Sequence, residues 1–318
     1  MLPPGYVARP LEFDESGGLP DGPDVDLAYS VTRAADIALL GRPDDTREAL
    51  RSGLTSLDAV RDEHRLVLDP SGDVVALLGV ERDAANRTVF LEPYAVPGHV
   101  ALLVPLLRMG LEAAYRLRAE GEWRVDTAAF QQDTDTIAAI AETGFTLKRR
   151  FWRMTADVTG IARDDPEAPV GVTRTIAASE EERRILHRVD QEAFADHFDF
   201  APHPYEDWMP WFTDRRDARP DTWWIAWLDG EPVGLCMADD RKAEEGRTYI
   251  RTLGVIPQAR GRGIAPWLLS SAFAQAAREG RTSVSLSVDS ENPTGAVGLY
   301  ERVGMRAEQV IDLFSQPL

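Results

Sequence analysis

The sequence predicts a mixed α/β chain built from two similar domains, and three observations carry that expectation. The chain has 318 residues, about two domains at roughly 100–200 residues each. Three landmarks recur 160 positions apart: Arg87-Thr88 as Arg247-Thr248, Pro97 as Pro257, and Gly144 as Gly304. In both halves a hairpin, a further strand, a long apolar helix, a short helix and a closing strand follow in the same order. The Asp/Pro-rich stretch Thr159 to Gly171, with Asp164-Asp165-Pro166 and Pro169, suits a linker. The expected domains are therefore residues 1–160 and 161–318.

The C-terminal half reads clearly. Val170 to Ile176 is a first strand. Ser179 opens a helix with Glu182 three residues on, a capping-box pattern, and Ile185, Leu186 and Val189 share one face. An aromatic-rich stretch, Phe194 to Phe212, follows. Trp223 to Leu228 and Pro232 to Ala238 flank Asp229-Gly230, a hairpin signal. Thr248 to Val255 is a strand, and Pro266 to Glu279 a helix with proline in its first turn and Gly280 past its end. Ser283 to Val288 alternates Val284, Leu286 and Val288 on one face, as a half-buried strand does. Gly295 to Val303 is a short helix and Ala307 to Phe314 a last strand. The N-terminal half repeats the plan with Arg65 to Leu68, Val74 to Val80, Val89 to Leu91, helices at Ala101 to Ala119 and Thr136 to Glu142, and a closing strand at Phe151 to Met154. Its acidic, Gly/Pro-rich opening, Leu11 to Asp26, yields no assignable element.

Charge narrows the function. The net charge is −18, shared as −9 by each half, so no basic tail or domain is hidden. Such a surface repels nucleic acid and anionic membrane. Lys148 and Lys242 are the only lysines, which argues against a Schiff-base or P-loop lysine. The longest apolar run, Val100 to Leu107, falls far short of the ~20 residues a bilayer needs. The first residues lack the basic and apolar regions of a signal peptide, and Cys236 is the one cysteine. The expectation is a cytoplasmic protein, monomer or homodimer, with no disulfide framework and no metal.

The chemistry-bearing stretch is Leu253-Gly254-Val255-Ile256-Pro257-Gln258-Ala259-Arg260-Gly261-Arg262-Gly263-Ile264-Ala265-Pro266, between a strand and a helix. Its glycines allow a tight turn with successive exposed N–H groups. Those donors and the helix N-terminus suit a pyrophosphate, and Arg260 and Arg262 add positive charge.

This stretch resembles motif A of the GCN5-related N-acetyltransferase (GNAT) family, Arg/Gln-x-x-Gly-x-Gly/Ala, on Arg260, Gly263 and Ala265. Downstream, Asn292-Pro293-Thr294-Gly295-Ala296-Val297-Gly298-Leu299-Tyr300-Glu301-Arg302-Val303-Gly304-Met305 resembles motif B, with Met305 in place of the usual Phe. The two-repeat plan and Glu192-Ala193-Phe194-Ala195-Asp196-His197 further resemble the tandem acetyltransferases of the mycothiol synthase type. The resemblance implies two GNAT-like domains, each a splayed mixed sheet flanked by helices. It implies acetyl-CoA as co-substrate and a small-molecule amine as acceptor: a mycothiol precursor, amino sugar, antibiotic or peptide amine. The pantetheine would pair with Leu253, Gly254 and Val255, the pyrophosphate would lie on the amides of residues 261–266, and Asn292 and Tyr300 would approach the pantetheine and sulfur. Tyr300 is the candidate general acid.

Many members carry a basic Glu on the strand before motif A; that position here is Tyr249. Relay through water at Tyr249, or Asp239, Asp240 or Glu291, are the alternatives for the base. By the 160 offset, Arg260 to Ala265 correspond to Val100-Ala101-Leu102-Leu103-Val104-Pro105, without arginine or glycine. The first domain is therefore expected to be a degenerate copy that has lost cofactor binding. The histidines show no metal spacing, but His197 and His203, with Tyr205 and Trp208, are placed to reach an acceptor. The missing Glu and the degenerate half also suit a non-catalytic acyl-CoA-binding or sensor protein.

Overall fold

The computed structural model of the chain describes residues 1–14, 19, 22–56, 58–197, 200–213, 217–292 and 295–318. Phe198 of the aromatic stretch, Pro293 and Thr294 of motif B, and residues 15–18, 20 and 21 of the acidic opening lie outside the described residues. The chain forms two units, Met1–Arg150 with Val310–Leu318, and Phe151–Gln309.

In the first unit β1 (Val7–Pro10) leads to α1 (Pro23–Leu40) and α2 (Arg47–Leu54), two helices that the patterning leaves unassigned. A signal for α1 is present: proline at its start, Asp24 and Asp26 in the first turn, and Gly41 closing it with φ 76°. Then come β2 (Arg65–Leu68), β3 (Val74–Asp83), β4 (Thr88–Ala95), α3 (Leu103–Leu117), β5 (Arg124–Phe130), α4 (Thr134–Glu142) and β6 (Thr146–Asp157). Strands β1 to β4 are antiparallel neighbours, β4 and β5 are parallel, and Ile311–Pro317 adds antiparallel to β5. Leu102, Leu103, Leu106 and Leu107 bury against Val89, Leu91 and Val125 in one core. Gly110 is required there: a Cβ would fall 2.6 Å from Leu91 Cδ1.

In the second unit β7 (Val172–Ile176) is followed by α5 (Glu180–Ala193), α6 (Tyr205–Trp208), α7 (Pro210–Thr213), β8 (Trp224–Leu228), β9 (Glu231–Asp239), β10 (Arg247–Val255), α8 (Ile264–Arg278), β11 (Ser283–Asp289), α9 (Ala296–Arg302) and β12 (Arg306–Pro317). The ladder runs from residues 151–157 of β6 through β11, β10, β9 and β8 to β7, and only β10 and β11 are parallel. The local reasons are those in the sequence. Ser179 and Glu182 make the reciprocal capping box of α5. Asp229 and Gly230 both take positive φ, 52° and 88°, the geometry of a two-residue hairpin turn that follows strand twist. One core packs Val284, Leu286 and Val288 against Leu268, Leu269 and Phe273 of α8. On the other face Leu186 and Val189 of α5, with Tyr205, Trp208 and Phe212, pack against Ile225, Leu235 and Met237. The segment Thr159 to Gly171 is tied to this unit: Arg174 and Arg278 pair with Asp165 at 2.7 and 3.1 Å, and the Trp267 indole N–H donates to the Pro166 carbonyl at 3.1 Å.

Two details of the ladder open the site. Strands β10 and β11 pair only from Arg247–Ser283 to Tyr249–Ser285, and beyond Tyr249 they part. On its other side β10 pairs with β9 in a register that shifts between Ile250 and Thr252, leaving Arg251 as a bulge. A bulge bends a strand and re-aims the backbone after it. The equivalent pairing in the first unit, Ala76–Ala95 to Asp83–Thr88, runs without a break.

Candidate functional site

Beyond the bulge, Leu253, Gly254 and Val255 form one wall of a cleft of about 430 Å³ in the second unit. Gly254 is needed at this wall, because a Cβ would stand 2.9 Å from the Ala193 Cβ and 3.0 Å from the Phe194 ring. The end of α5 thus lies directly over the strand, and Ala193, Phe194, Asp196 and His197 line the cleft beside it.

The floor is the turn into α8. Gly261 and Gly263 both hold positive φ, 77° and 79°, and at Gly261 a Cβ would meet nothing within 4 Å. Gly263 is the N-cap of α8 and has no side chain to satisfy the first amides. Among the described residues, the N–H groups of Gly261, Arg262 and Gly263 meet no backbone acceptor. Unpaired amides at the head of a 15-residue helix, bordered by open space, make an anion cradle. Gly261, Gly263, Ile264, Ala265 and Pro266 all line the cleft, whereas Arg262 is exposed and does not. Arg260 lines it but is used as a brace: its guanidinium donates to the Val255 carbonyl at 3.1 Å and to the Ala193 carbonyl at 2.9 Å. It thereby clamps the end of α5 to the end of β10.

The opposite wall is α9 and the turn before it, with Asn292, Gly295, Ala296, Leu299, Tyr300 and Arg302. Tyr300 is 8% exposed and packs in the α8-side core. Burial pushes its phenol up to about 12, so it keeps its proton throughout the neutral range. Cys236, buried nearby, is raised to about 12 by burial and is a thiol, not a reactive thiolate.

The other candidates stand elsewhere. Tyr249 is half-buried at the point where β10 and β11 part, with the Arg241 guanidinium 4.7 Å from its ring centroid. Asp239 is held by Arg241 at 2.8–3.0 Å, with Arg251 at 3.7 Å. Asp240 is held by Arg219 and Arg281 at 3.1 and 2.7 Å, and Glu291 is exposed. Tyr205 and Trp208 are buried in the core under α5, the Tyr205 hydroxyl donating to Glu180 at 2.8 Å, and neither lines the cleft. His203 stacks edge-on to Trp211 at 4.6 Å, also away from the cleft. Phe194, from the Glu192–His197 segment, and Leu299 and Arg302, within motif B, also line the cleft, although the sequence assigns them no role.

One buried carboxyl near the cleft escapes sequence reasoning. Asp190, one turn of α5 before Ala193, is 8% exposed, and its Oδ1 accepts from the Thr252 hydroxyl at 3.3 Å. Burial raises it to about 6, against the lowering effect of hydrogen bonds from Thr252, Trp208 and Gln191. Among the described residues no helix is long and apolar enough to cross a membrane.

Residues 180–305 match the model of the acetyltransferase (GNAT) family. A mycothiol acetyltransferase of Streptomyces griseus is 30% identical over 173 residues, 52% of this chain and 53% of that protein. One of Beutenbergia cavernae is 25% identical over 273 residues, 78% of this chain and 86% of that protein. The chain thus spans about half the length of the first curated relatives it matches. Among solved structures, a GCN5-related N-acetyltransferase from Sphaerobacter thermophilus superposes with a TM-score of 0.81 at 26% identity, covering 100% of this chain and 97% of that one. A tandem GNAT protein from the clavulanic acid biosynthesis pathway superposes at 0.72 with 13% identity, covering 98% of each, a likeness of fold.

Proposed function

We propose, from the match of residues 180–305 to the GNAT acetyltransferase family, that the chain transfers the acetyl group of acetyl-CoA to the primary amine of a small molecule. The observation that carries this reading is the cleft itself. A parted pair of strands, an unpaired amide cradle at the head of α8 and a protonated tyrosine meet in one space.

The residues suit the co-substrate. Leu253 to Val255 offer strand backbone to a pantetheine arm, the amides of residues 261–265 a seat for its pyrophosphate, and Arg302 a cation at the rim. Acetyl-CoA supplies the acyl group as an activated thioester. The chain's part is to orient it, to hold backbone N–H groups beside the splay where carbonyl charge develops, and to keep a proton on Tyr300 for the leaving sulfur. The mycothiol acetyltransferases among the relatives favour a mycothiol-type acceptor, and His197 is the candidate acceptor contact that lines the cleft. Tyr249, where many members have a basic Glu, favours the second reading of an acyl-CoA sensor. Incubation with acetyl-CoA and an amine panel, followed by detection of free thiol, separates the two: release that requires an amine supports the transferase, and binding without release in every case overturns it.

The unbroken register of β4 and the leucine-rich turn before α3 lead us to expect one acetyl-CoA per chain, bound by the second unit. Titration calorimetry should give a stoichiometry of one. Two equivalent sites would show that the first unit binds as well.

A further inference from the structure

We propose that Asp190, acting through the Thr252 hydroxyl, accepts the proton that the attacking amine must lose. The inference rests on the transferase reading above and names the proton acceptor that Tyr249 leaves open.

Position comes first. Thr252 is the residue after the Arg251 bulge and directly precedes Leu253 to Val255, the strand wall of the cleft. Asp190 sits behind it on α5, one turn before Ala193 and Phe194, which line the same wall and pack on Gly254. The contact between Thr252 Oγ1 and Asp190 Oδ1, 3.3 Å, therefore joins the residue next to the cleft wall to a buried carboxyl, although neither side chain itself lines the cleft. Alternatives are engaged: Asp239 and Asp240 are each held by two arginines.

Electrostatics is second. The charged groups on the elements packed around Asp190 act elsewhere. His187 of α5 points Nε2 at the His203 carbonyl (2.8 Å), and Arg183 lies over the Trp223 ring (5.6 Å). Glu206 of α6 pairs with Arg184 (3.1 Å), Arg251 of β10 lies 3.7 Å from Asp239 of β9, and Arg260 clamps the Ala193 carbonyl. Burial thus governs Asp190 and places it near 6. It is ionised at neutral pH, yet more basic than an exposed carboxylate, as a general base working near pH 7 requires.

The step balances. The amine nitrogen forms the C–N bond as the C–S bond breaks. Its proton passes to Thr252 Oγ while the hydroxyl proton moves to Asp190 Oδ1. The thiolate takes the Tyr300 proton, and solvent afterwards returns one proton to Tyr300 and removes one from Asp190. Asp190 is here a positioning residue that works through Thr252.

The test is the pH profile of kcat/KM with an accepted amine. Wild type should fall with slope one below the amine's own pKa and slope two below about pH 6, where Asp190 also protonates. Asp190→Asn should lose about 10²-fold at pH 7.5 and show slope one throughout, with acetyl-CoA affinity unchanged. Thr252→Val should behave alike, and Thr252→Ser should restore most of the rate. An Asp190→Asn protein that keeps the second slope, or a Thr252→Val protein with wild-type rates, overturns the proposal while leaving the transferase reading intact. A folded Asp190→Asn protein that has lost acetyl-CoA binding assigns the residue to packing and overturns it too. Wild type that binds acetyl-CoA and releases no thiol with any amine overturns the transferase reading, and this assignment with it.

Discussion

A Gly263→Glu protein is expected to fold and to lose acetyl-CoA binding by about 10²-fold or more. Gly263 stands at the head of α8 with φ 79°, and a Cβ there meets Pro169 Cγ at an ordinary 3.6 Å. A side chain in the left-handed region costs roughly 1–2 kcal/mol. A carboxylate at a helix N-terminus returns about 0.3–1 kcal/mol by interacting with the unpaired amides. The net change in stability is therefore small. Binding is another matter: the new carboxylate would occupy the anion cradle and face a pyrophosphate of the same sign. Like charges at such a contact cost several kcal/mol, and each 1.4 kcal/mol is a factor of ten. Gly263→Ala separates the effects, because it has the backbone strain without the charge and should bind within about tenfold of wild type. Calorimetry on both, with a thermal melt for each, checks the expectation. Wild-type affinity in a folded Gly263→Glu protein would move the cradle elsewhere.

Replacing Tyr300 with Phe should lower turnover on the order of 10²-fold, the scale for losing a general acid, while acetyl-CoA affinity changes little. The ring keeps its place in the α8-side core and only the hydroxyl is lost. The raised phenol fixes the pH behaviour. A group near 12 is protonated, and so able to donate, at every pH below that value. Tyr300 should therefore contribute no limb to the rate profile between pH 6 and 10, and the mutant profile should run parallel to wild type, displaced downward. Single-turnover rates at saturating acetyl-CoA make the comparison on the chemical step. Equal rates would return Tyr300 to a packing role.

Local signals made much of this readable in advance. The capping box at Ser179 and Glu182 and the Asp229-Gly230 turn are properties of neighbouring residues, and both form; Val284, Leu286 and Val288 share a buried face, but Ser285 between them is buried too, so that strand is covered on more than one side. Gly144 and Gly304 show the repeat at the level of the backbone, with φ 93° and 92° at the ends of α4 and α9. What escaped depends on partners distant in sequence. Nothing in Thr248 to Val255 marks Arg251 as a bulge, since a bulge is defined only against β9. The motif arginine Arg260 gives no hint that its donors are taken by two carbonyls. Tyr205 and Trp208 are aromatic in either reading, and only the packing of α6 under α5 puts them in the core. Asp190 sits in a helix whose sequence is rich in charge, and only its 8% exposure sets it apart from its solvated neighbours.

The ladder of the first unit is completed by residues 311–317, which lie beyond the whole of the second unit in the chain. Synthesis proceeds from the N-terminus, so β5 leaves the ribosome with one edge bare. At about 5–20 residues per second, roughly 10–40 s pass before its partner strand emerges. A bare edge is a template for pairing with other chains. The first unit's ladder therefore stays incomplete until residues 311–317 have been made. Separating the gene between codons 160 and 161 would leave the first product without residues 311–317 and the second without residues 151–157, the strand beside β11. Each product would then lack a strand of its own ladder, so a cut that respects the sequence repeat does not respect the folded units.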